Sequence, residues 1–413
     1  MQNIVPVCLF NGTVLTGFTT MERCAVLVEE GLVSEVFSQK RFDQRSFQPG
    51  TVKIDVDGAY IAPGFIDTHI HGIGGYGTED AGAGPDGGEA ADGGQLVSEG
   101  RASILEMSRL LVGYGVTAFN PTLYPSEPEH MLRAVREIVS APGREEGARV
   151  MGLHLEGPFL SPARLGVQKA ETVMPVDLHF MEKLWEASGG HIVNMTVAPE
   201  LKGMRELALF CVKKGIVLQA GHTDAKYENM VEGMQTGILH STHLFNAMSK
   251  LDHRNPNAVG AILIHPEISC EIIADGFHVH PDLFKLLLRD KPIDKIVLVT
   301  DGLKPTEQKE GPFMANREEV LFHNGVFHRV SDDVIAGSGL TMIRGIRNLV
   351  SCGFSLEDAI KTASFNPARV MRYDRQGAIA PGYLGDLAVF DNDFQVKLVM
   401  VGGTIKKNLF SGV

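Results

Sequence analysis

Two histidines, His69 and His71, lie one residue apart at the end of the apolar segment APGFIDTHIHG. Successive side chains of a β-strand point to opposite faces, so these two imidazoles would share one face, as two ligands of one metal ion must. The spacing alone is a weak signal, because 15 histidines in 413 residues produce such a pair by chance in roughly every second chain. His278 and His280 form a second pair with this spacing. Other features must therefore identify a site.

Composition excludes two classes of partner. The formal charge of −12 argues against nucleic acid or an anionic membrane as the main partner, and it requires local cations for any anionic substrate.

We find no signal-peptide pattern and no apolar run approaching about 18 residues. The cysteines show no paired spacing and lie mostly in apolar segments, so we expect buried thiols in a cytoplasmic protein. They are Cys8, Cys24, Cys211, Cys270 and Cys352.

The two ends of the chain share one sequence pattern. Short β-like runs alternate with Asn-Gly, Glu-Gly and Asp-Gly turn pairs in the first sixty residues, and the last forty residues have the same character. We therefore expect residues 1–61 and 375–413 to pair into one small β-sandwich domain. Residues 62–374 would form the catalytic domain between them.

Eight apolar β-like runs alternate with segments of helical spacing in the middle of the chain. The runs are GFIDTHIH, GVTAFNPTL, VMGLHLEG, VNMTVAPE, IVLQAGHTD, HSTHLFNAM, SCEIIADGFH and KIVLVTDG. Helical segments include ASILEMSRLLVGYG, EPEHMLRAVREIV and MRELALFCVKKG. This alternation predicts an α/β fold, a (β/α)₈ TIM barrel. A doubly wound open sheet is the structural alternative.

Two further segments are expected to decorate the barrel. The glycine-rich stretch GIGGYGTEDAGAGPDGGEAADGG lacks the Lys-Ser/Thr pair of a phosphate-binding loop, so we predict a flexible loop over the barrel mouth. The segment EEVLFHNGVFHRV predicts a hairpin after the eighth run, with Asn324 and Gly325 at its turn.

Polar residues stand at the carboxyl ends of most of these runs, and in a barrel those ends converge on the face that carries active sites. They are His69 and His71, Glu156, His222, His243, His278 and Asp301, from runs one, three, five, six, seven and eight. Burying so many imidazoles and carboxylates together without a metal would leave costly unpaired charge. The pattern therefore predicts a divalent metal centre. Nitrogen and oxygen donors without thiolate suit Zn²⁺ or Fe²⁺ and do not distinguish them.

The order of motifs resembles a known family, the N-acetylglucosamine-6-phosphate deacetylases of the amidohydrolase superfamily. The specific pieces are LEGP and THLFNAM, while PGFIDTHIHG and IAPGYLGDLAVFD mark the superfamily. The resemblance runs over nearly the whole chain. It implies a barrel with a small β domain from both termini, which agrees with the pattern above, and a homodimer.

The resemblance implies that Glu156, His222 and His243 bind the metal ion held by all members. Because His69 and His71 are retained here, one or two metal ions per subunit are expected, the second bridged through Glu156 and touching Asp301. Asp301 would take a proton from the attacking water and return it to the departing amine, and its alternative role is metal binding alone. The fourth run ends in VAPE, without the bridging lysine of hydantoinases and dihydroorotases.

For the substrate, the resemblance assigns phosphate contacts to Asn246, Ala247 and an Arg254 reaching from the neighbouring subunit. His278 would contact the sugar or the acetyl group, and His280 would be structural. The family's oxyanion donor is a histidine twelve residues after the metal-binding glutamate, and here that position is Gln168. A glutamine amide can still donate a hydrogen bond, but it carries no charge.

These assignments predict metal-dependent hydrolysis of N-acetylglucosamine 6-phosphate to glucosamine 6-phosphate and acetate. Two alternatives stay open at this stage. One is deacetylation of the galactosamine epimer or of another N-acyl amino sugar, because Gln168 and the glycine-rich loop depart from the typical member. The other is a non-enzymatic assembly protein on an inherited barrel, which the intact set of ligands disfavours.

Overall fold

The computed structural model describes residues 4–82, 89–92 and 95–410. Its strands are β1 (Val7–Leu15), β2 (Thr20–Glu29), β3 (Leu32–Ser38), β4 (Val52–Asp55), β5 (Tyr60–Pro63), β6 (Phe65–Ile70), β7 (Gly72–Ile73), β8 (Tyr76–Gly77), β9 (Glu89–Asp92), β10 (Gln95–Ser98), β11 (Val116–Leu123), β12 (Arg149–Val150), β13 (Leu153–Glu156), β14 (Ile192–Val197), β15 (Val217–Ala220), β16 (Ile238–Ser241), β17 (Ser269–Ile273), β18 (Ile296–Val299), β19 (Gly311–Ala315), β20 (Glu318–His323), β21 (Val326–Arg329), β22 (Ile335–Ser338), β23 (Leu387–Phe390), β24 (Val396–Val401) and β25 (Thr404–Asn408). The helices are α1 (Gln39–Gln44), α2 (Glu99–Leu111), α3 (Pro128–Ile138), α4 (Leu178–Ala187), α5 (Met204–Lys213), α6 (Tyr227–Gln235), α7 (Asn257–Ile264), α8 (Pro281–Asp290), α9 (Met342–Ser351), α10 (Leu356–Ala363) and α11 (Phe365–Val370).

Eight parallel strands form a barrel in the order β6, β11, β13, β14, β15, β16, β17 and β18. The ring closes between β18 and β6 at their carboxyl ends, where the Asp301 amide donates to the His69 carbonyl at 2.8 Å and the His71 amide donates to the Gly302 carbonyl at 2.9 Å. Thr300, which directly precedes Asp301, donates a hydrogen bond from its hydroxyl to the carboxylate of Asp67 in β6 at 2.6 Å. The prediction of a closed barrel is therefore confirmed, and the open sheet is wrong.

The barrel strands are buried on both faces, which explains their continuous apolar runs. Every residue of β6, β11, β17 and β18 is buried. The helices cover the outer face with one apolar stripe each, as in α2, which buries Ile104, Met107 and Leu111. The three helical segments named from the sequence are α2, α3 and α5.

Strands from both ends of the chain build a separate sheet in the order β25-β24-β23-β5-β1-β2-β3, with β4 beside β1. This confirms a β domain formed by both termini, and its residues enclose their own apolar cluster. Arg149 in β12 beside the barrel makes a bidentate ion pair with Asp386, which directly precedes β23 of this sheet, with nitrogen–oxygen distances of 2.8 and 3.0 Å. The domain limits at 61/62 and 374/375 stay a prediction.

A four-stranded antiparallel sheet, β19-β20-β21-β22, is inserted after β18. The predicted hairpin is β20–β21, and Asn324 and Gly325 both have positive φ at its turn. The glycine-rich stretch begins as the small hairpin β7–β8. The predicted loop over the barrel mouth also includes residues 83–88 and 93–94, which lie outside the described residues. Among the helices that the structure describes, none is long and apolar enough to cross a membrane.

Candidate active site

A cavity of about 270 Å³ opens at the carboxyl ends of the barrel strands. Its lining brings together nine of the eleven residues selected from the sequence: His71, Glu156, Gln168, His222, His243, Asn246, Ala247, His278 and Asp301. His69 lies directly beneath and is fully buried. Arg254 is exposed on a loop and does not line the cavity of its own chain.

Glu156 is the centre of the arrangement. Its Oε1 lies 3.1 Å from His222 Nε2 and 3.1 Å from His243 Nε2. The two imidazole Nε2 atoms are themselves 3.2 Å apart. These three side chains form one group whose ligand atoms could share a metal ion.

His69, His71 and Asp301 form a second such group on the other side of Glu156. Asp301 Oδ1 lies 3.5 Å from His69 Nε2 and 3.3 Å from His71 Nε2. The same two Nε2 atoms lie 3.6 and 3.4 Å from the Glu156 carboxylate. Glu156 therefore faces both groups.

The partners of the Nδ1 atoms fix the proton positions on three of the rings. His71 Nδ1 lies 2.9 Å from the Thr122 carbonyl, and His222 Nδ1 lies 3.0 Å from the Leu165 carbonyl. His69 Nδ1 lies 2.9 Å from a Glu271 carboxylate oxygen. Because these oxygens only accept hydrogen bonds, each Nδ1 carries a proton, and in the neutral ring the Nε2 atom then turns a lone pair toward Glu156 or Asp301.

A lone pair facing a carboxylate oxygen is repulsive unless a positive charge lies between them. A second proton on the ring or a metal ion can supply that charge, and within the described residues the buried His69 Nε2 makes no hydrogen bond. A divalent cation bound by imidazole nitrogens and carboxylate oxygens supplies the missing charge, and partners on Nδ1 are what metal-binding histidines ordinarily have. The residues present therefore fit a metal ion.

The pKa values of three residues in the two groups are shifted in the directions that favour positive charge beside the carboxylates. Burial lowers the pKa of His69, but the carboxylates of Glu271, Asp301 and Glu156 outweigh burial and raise it to about 10. Burial raises the pKa of Glu156, yet hydrogen bonding and charge from His222 and His243 hold it well below the usual range. For Asp301, burial is likewise outweighed by His69 and His71, and its pKa is lowered. Both carboxyl groups are therefore ionised at neutral pH.

Three candidate ligands are held in left-handed backbone conformations, with φ of 44° at His222, 24° at His243 and 49° at Asp301. Such conformations are costly for residues with a Cβ and concentrate at functional sites. The closed barrel holds them through backbone hydrogen bonds such as that from the Asp301 amide to His69. All three of these residues line the cavity at the barrel mouth.

The expected substrate residues occupy different sides of the cavity. Gln168 Nε2 donates to Glu156 Oε2 at 2.7 Å, so one amide hydrogen is committed to that carboxylate. His278 is held by Asp275, which lies 2.7 Å from its Nδ1. Ala247 has a φ of 48°, and its amide makes no hydrogen bond among the residues that the structure describes. His280 is exposed and caps α8 by accepting from the Asp282 amide, so its interpretation as structural agrees with its position.

Two further residues at the site, Glu271 and Tyr124, were not predicted from the sequence. Glu271 is fully buried in β17, and its carboxylate also accepts from the Gln219 amide at 3.0 Å and from the His243 backbone amide at 3.2 Å. A charged residue inside the apolar run SCEIIADGFH was a signal that could have found it. Tyr124 follows β11, and its ring lies parallel to that of His71 with centroids 3.7 Å apart. No sequence pattern indicates that contact.

Comparison with known proteins identifies relatives that match most of the chain. The model of the Amidohydrolase family matches residues 60–406. The N-acetylglucosamine-6-phosphate deacetylase of Bacillus subtilis is 32% identical over 387 residues, which is 92% of this chain and 91% of that protein.

Solved structures of the same enzyme are similar in fold. The N-acetylglucosamine-6-phosphate deacetylase of Pasteurella multocida superimposes with a TM-score of 0.85 at 26% identity, covering 98% of this chain and 100% of that one. A mutant of the Mycobacterium smegmatis enzyme, in complex with N-acetyl-D-glucosamine-6-phosphate, gives a TM-score of 0.84 at 27% identity over 98% of this chain and 99% of that one.

The two ligand groups predict a metal stoichiometry that can be measured. Zinc-loaded protein, freed of loose metal by gel filtration, should hold about two ions per chain by elemental analysis, and His69→Ala/His71→Ala should hold about one because Glu156, His222 and His243 remain. His278→Ala is the control, since His278 lines the cavity but belongs to neither group, and it should keep the parent ratio. A ratio near one metal ion per chain in the parent protein would contradict the second metal site.

Proposed function

The chain belongs to the amidohydrolase family and, within it, to the N-acetylglucosamine-6-phosphate deacetylases, and from this premise we propose that it hydrolyses N-acetylglucosamine 6-phosphate to glucosamine 6-phosphate and acetate. The observation that carries the proposal is Glu156, placed between two groups of inward-facing ligand atoms beside Asp301. The reaction would belong to amino-sugar catabolism, and the five free cysteines support a cytoplasmic location.

Glu156, His222 and His243 would hold one divalent ion, Zn²⁺ or Fe²⁺, and His69, His71 and Asp301 would hold a second. When bound, such an ion supplies Lewis acidity, which lowers the pKa of a water molecule and polarises an amide carbonyl. Thr122, Leu165 and Glu271 orient the imidazoles from behind, so the ligand atoms are fixed before substrate arrives.

Asp301 is the proton carrier in this proposal. An amide leaves as an amine only after its nitrogen is protonated, so a group must take the proton of the attacking water and deliver it to that nitrogen. Asp301 lines the cavity and is ionised at neutral pH, because His69 and His71 lower its pKa against the effect of burial. It can therefore accept a proton first and donate it afterwards.

Gln168 would act on two partners through its two amide hydrogens. One holds Glu156 Oε2 at 2.7 Å, and the other is available to the developing oxyanion in the cavity. A neutral donor stabilises the oxyanion less than a charged one, but it does not titrate.

The phosphate would lie at the turn after β16. Asn246 and Ala247 both line the cavity, and the amide of Ala247, which is in a left-handed conformation, has no partner among the described residues. Backbone amides in such turns form anion-binding concavities. Arg254 would complete the site from the partner subunit of a homodimer, which agrees with its exposure and its absence from the cavity of its own chain.

The substrate assignment predicts a ranking of turnover. N-acetylglucosamine 6-phosphate should give the highest kcat/KM, above the galactosamine epimer with the same phosphate and well above unphosphorylated N-acetylglucosamine, since recognition rests on placed phosphate contacts. Acetate release measured on this panel tests the proposal. A preference for the galactosamine epimer would keep the chemistry and correct the sugar, whereas no acetate release from any of them by metal-loaded protein would refute the function.

The role of Asp301 predicts that Asp301→Asn loses about 10²- to 10⁴-fold in kcat, because the amide cannot carry the proton. The loss should persist when the variant is fully loaded with metal, as checked by elemental analysis on the assayed sample. Near-parental kcat would contradict proton transfer by Asp301, and a loss fully reversed by added metal would assign it to ligation alone.

The phosphate assignment predicts that Arg254→Ala raises KM for the phosphorylated sugar by about tenfold to a thousandfold, the scale of a lost charge-assisted contact, with little effect on the unphosphorylated sugar. Lys250→Ala removes an exposed cation of the same loop and should change either KM little. Mixed dimers of the Arg254→Ala and Asp301→Asn chains should regain activity at one of two sites. Equal losses on both sugars, or verified mixed dimers without activity, would argue against this role.

A further inference from the structure

Tyr124 separates the active-site cavity from a second cavity. The neighbouring space has a volume of about 250 Å³ and is lined by polar residues that include Glu79, His130, Lys169 and Arg317. Tyr124 is the one residue that lines both cavities among the described parts of the chain. Tyr124 therefore lies at the boundary between the two cavities, and we call it the partition.

Three features restrict the movement of Tyr124. The tyrosine ring stacks on His71 at 3.7 Å with the two planes 1° apart, and Tyr124 itself is 7% exposed. It also belongs to an apolar cluster with Leu303, Val320 and Phe327, the last two from the inserted sheet. Pro125 follows directly and restricts the backbone of residue 124 to extended conformations. A side chain held on this many sides does not swing aside at low cost.

The partition lies opposite the proposed phosphate site. In the ring of eight strands, β11 stands four places from β16 in either direction, so Tyr124 and Ala247 follow strands on opposite sides of the mouth. In the hexopyranose substrate, C2 carries the acetamido group and C5 carries the phosphorylated arm, and these two carbons lie across the ring from one another. A phosphate at Ala247 therefore directs the acyl group across the metal ligands toward Tyr124.

We propose that Tyr124 determines acyl-chain specificity: its ring ends the pocket just beyond the acetyl methyl group and keeps longer N-acyl chains out of the neighbouring 250 Å³ cavity. The inference rests on the proposed function, because it takes the orientation of the sugar from the phosphate contacts. Removing the ring would join the two cavities. Substrates with longer acyl chains would then fit while the residues that perform hydrolysis stay in place.

The test compares N-acetyl-, N-propionyl- and N-butyrylglucosamine 6-phosphate as substrates of the parent, Tyr124→Ala and Tyr124→Phe. The ratio of kcat/KM for the butyryl over the acetyl substrate should rise about tenfold to a hundredfold in Tyr124→Ala, the range over which a pocket discriminates one or two methylenes. Tyr124→Phe keeps the ring and should keep the parental ratio. An unchanged ratio in folded Tyr124→Ala, or the same rise in Tyr124→Phe, would overturn the proposal.

Tyr124→Leu provides a second opening variant if the alanine protein does not fold, because leucine keeps apolar contact with the cluster but lacks the reach of the ring. It should raise the ratio in the same direction, and an unchanged ratio in this variant would also overturn the proposal. Circular dichroism and thermal unfolding establish that each protein assayed is folded.

A binding experiment separates failure of this inference from failure of the proposed function. Zinc-loaded protein is titrated calorimetrically with acetohydroxamate, butyrohydroxamate and hexanohydroxamate, which carry an acyl chain on a metal-binding group and need no sugar. Parental affinity should fall with chain length, and the fall should vanish in Tyr124→Ala or Tyr124→Leu. The same slope in parent and variants would overturn the partition even if acetate release is observed. Lost slope without acetate release would uphold the partition and refute the deacetylase.

Discussion

One carboxylate organises the site. The carboxylate oxygens of Glu156 lie between 3.1 and 3.6 Å from the Nε2 atoms of four imidazoles. Glu156 is buried at the mouth of a barrel, where water screens charge less than it does at the protein surface. On three of those rings the second nitrogen is already occupied as a donor, so the arrangement is stable only around added positive charge. The electrostatics therefore favour a cation at this place, and the rest of the fold holds the ligands around it.

The barrel stabilises a geometry that its ligands would not adopt alone. Three of them follow their strands in left-handed conformations, which cost free energy that only the surrounding packing can offset. The closure between β18 and β6 is part of that constraint, because the same hydrogen bonds that join Asp301 to His69 place both side chains on one group. The hydrogen bonds that close the barrel therefore also position the second ligand group.

The barrel could be predicted from the sequence because strands buried on both faces leave continuous apolar runs, and the polar residues that interrupt them mark the strand ends. That reasoning located His222, His243 and Asp301. The pattern did not reveal β19, which is partly exposed, or β22, which has only four residues, or the contacts behind the ligands. Glu271 reaches His69 across 202 residues of sequence, and Tyr124 meets His71 through stacking. Such pairings depend on tertiary packing, which periodicity does not encode.

The neutral side chain at position 168 fits this electrostatic account. A protonated histidine beside Glu156 would place a second positive charge on the carboxylate and compete with a metal ion for it. The Gln168 amide instead fixes Glu156 Oε2 at 2.7 Å without adding charge, so the full negative charge of the carboxylate remains for the cation. In the proposed role, the second amide hydrogen would stabilise an oxyanion less than a charged donor would. Because an amide does not titrate across the neutral range, the hydrogen bond from Gln168 leaves the charge of Glu156 the same throughout that range.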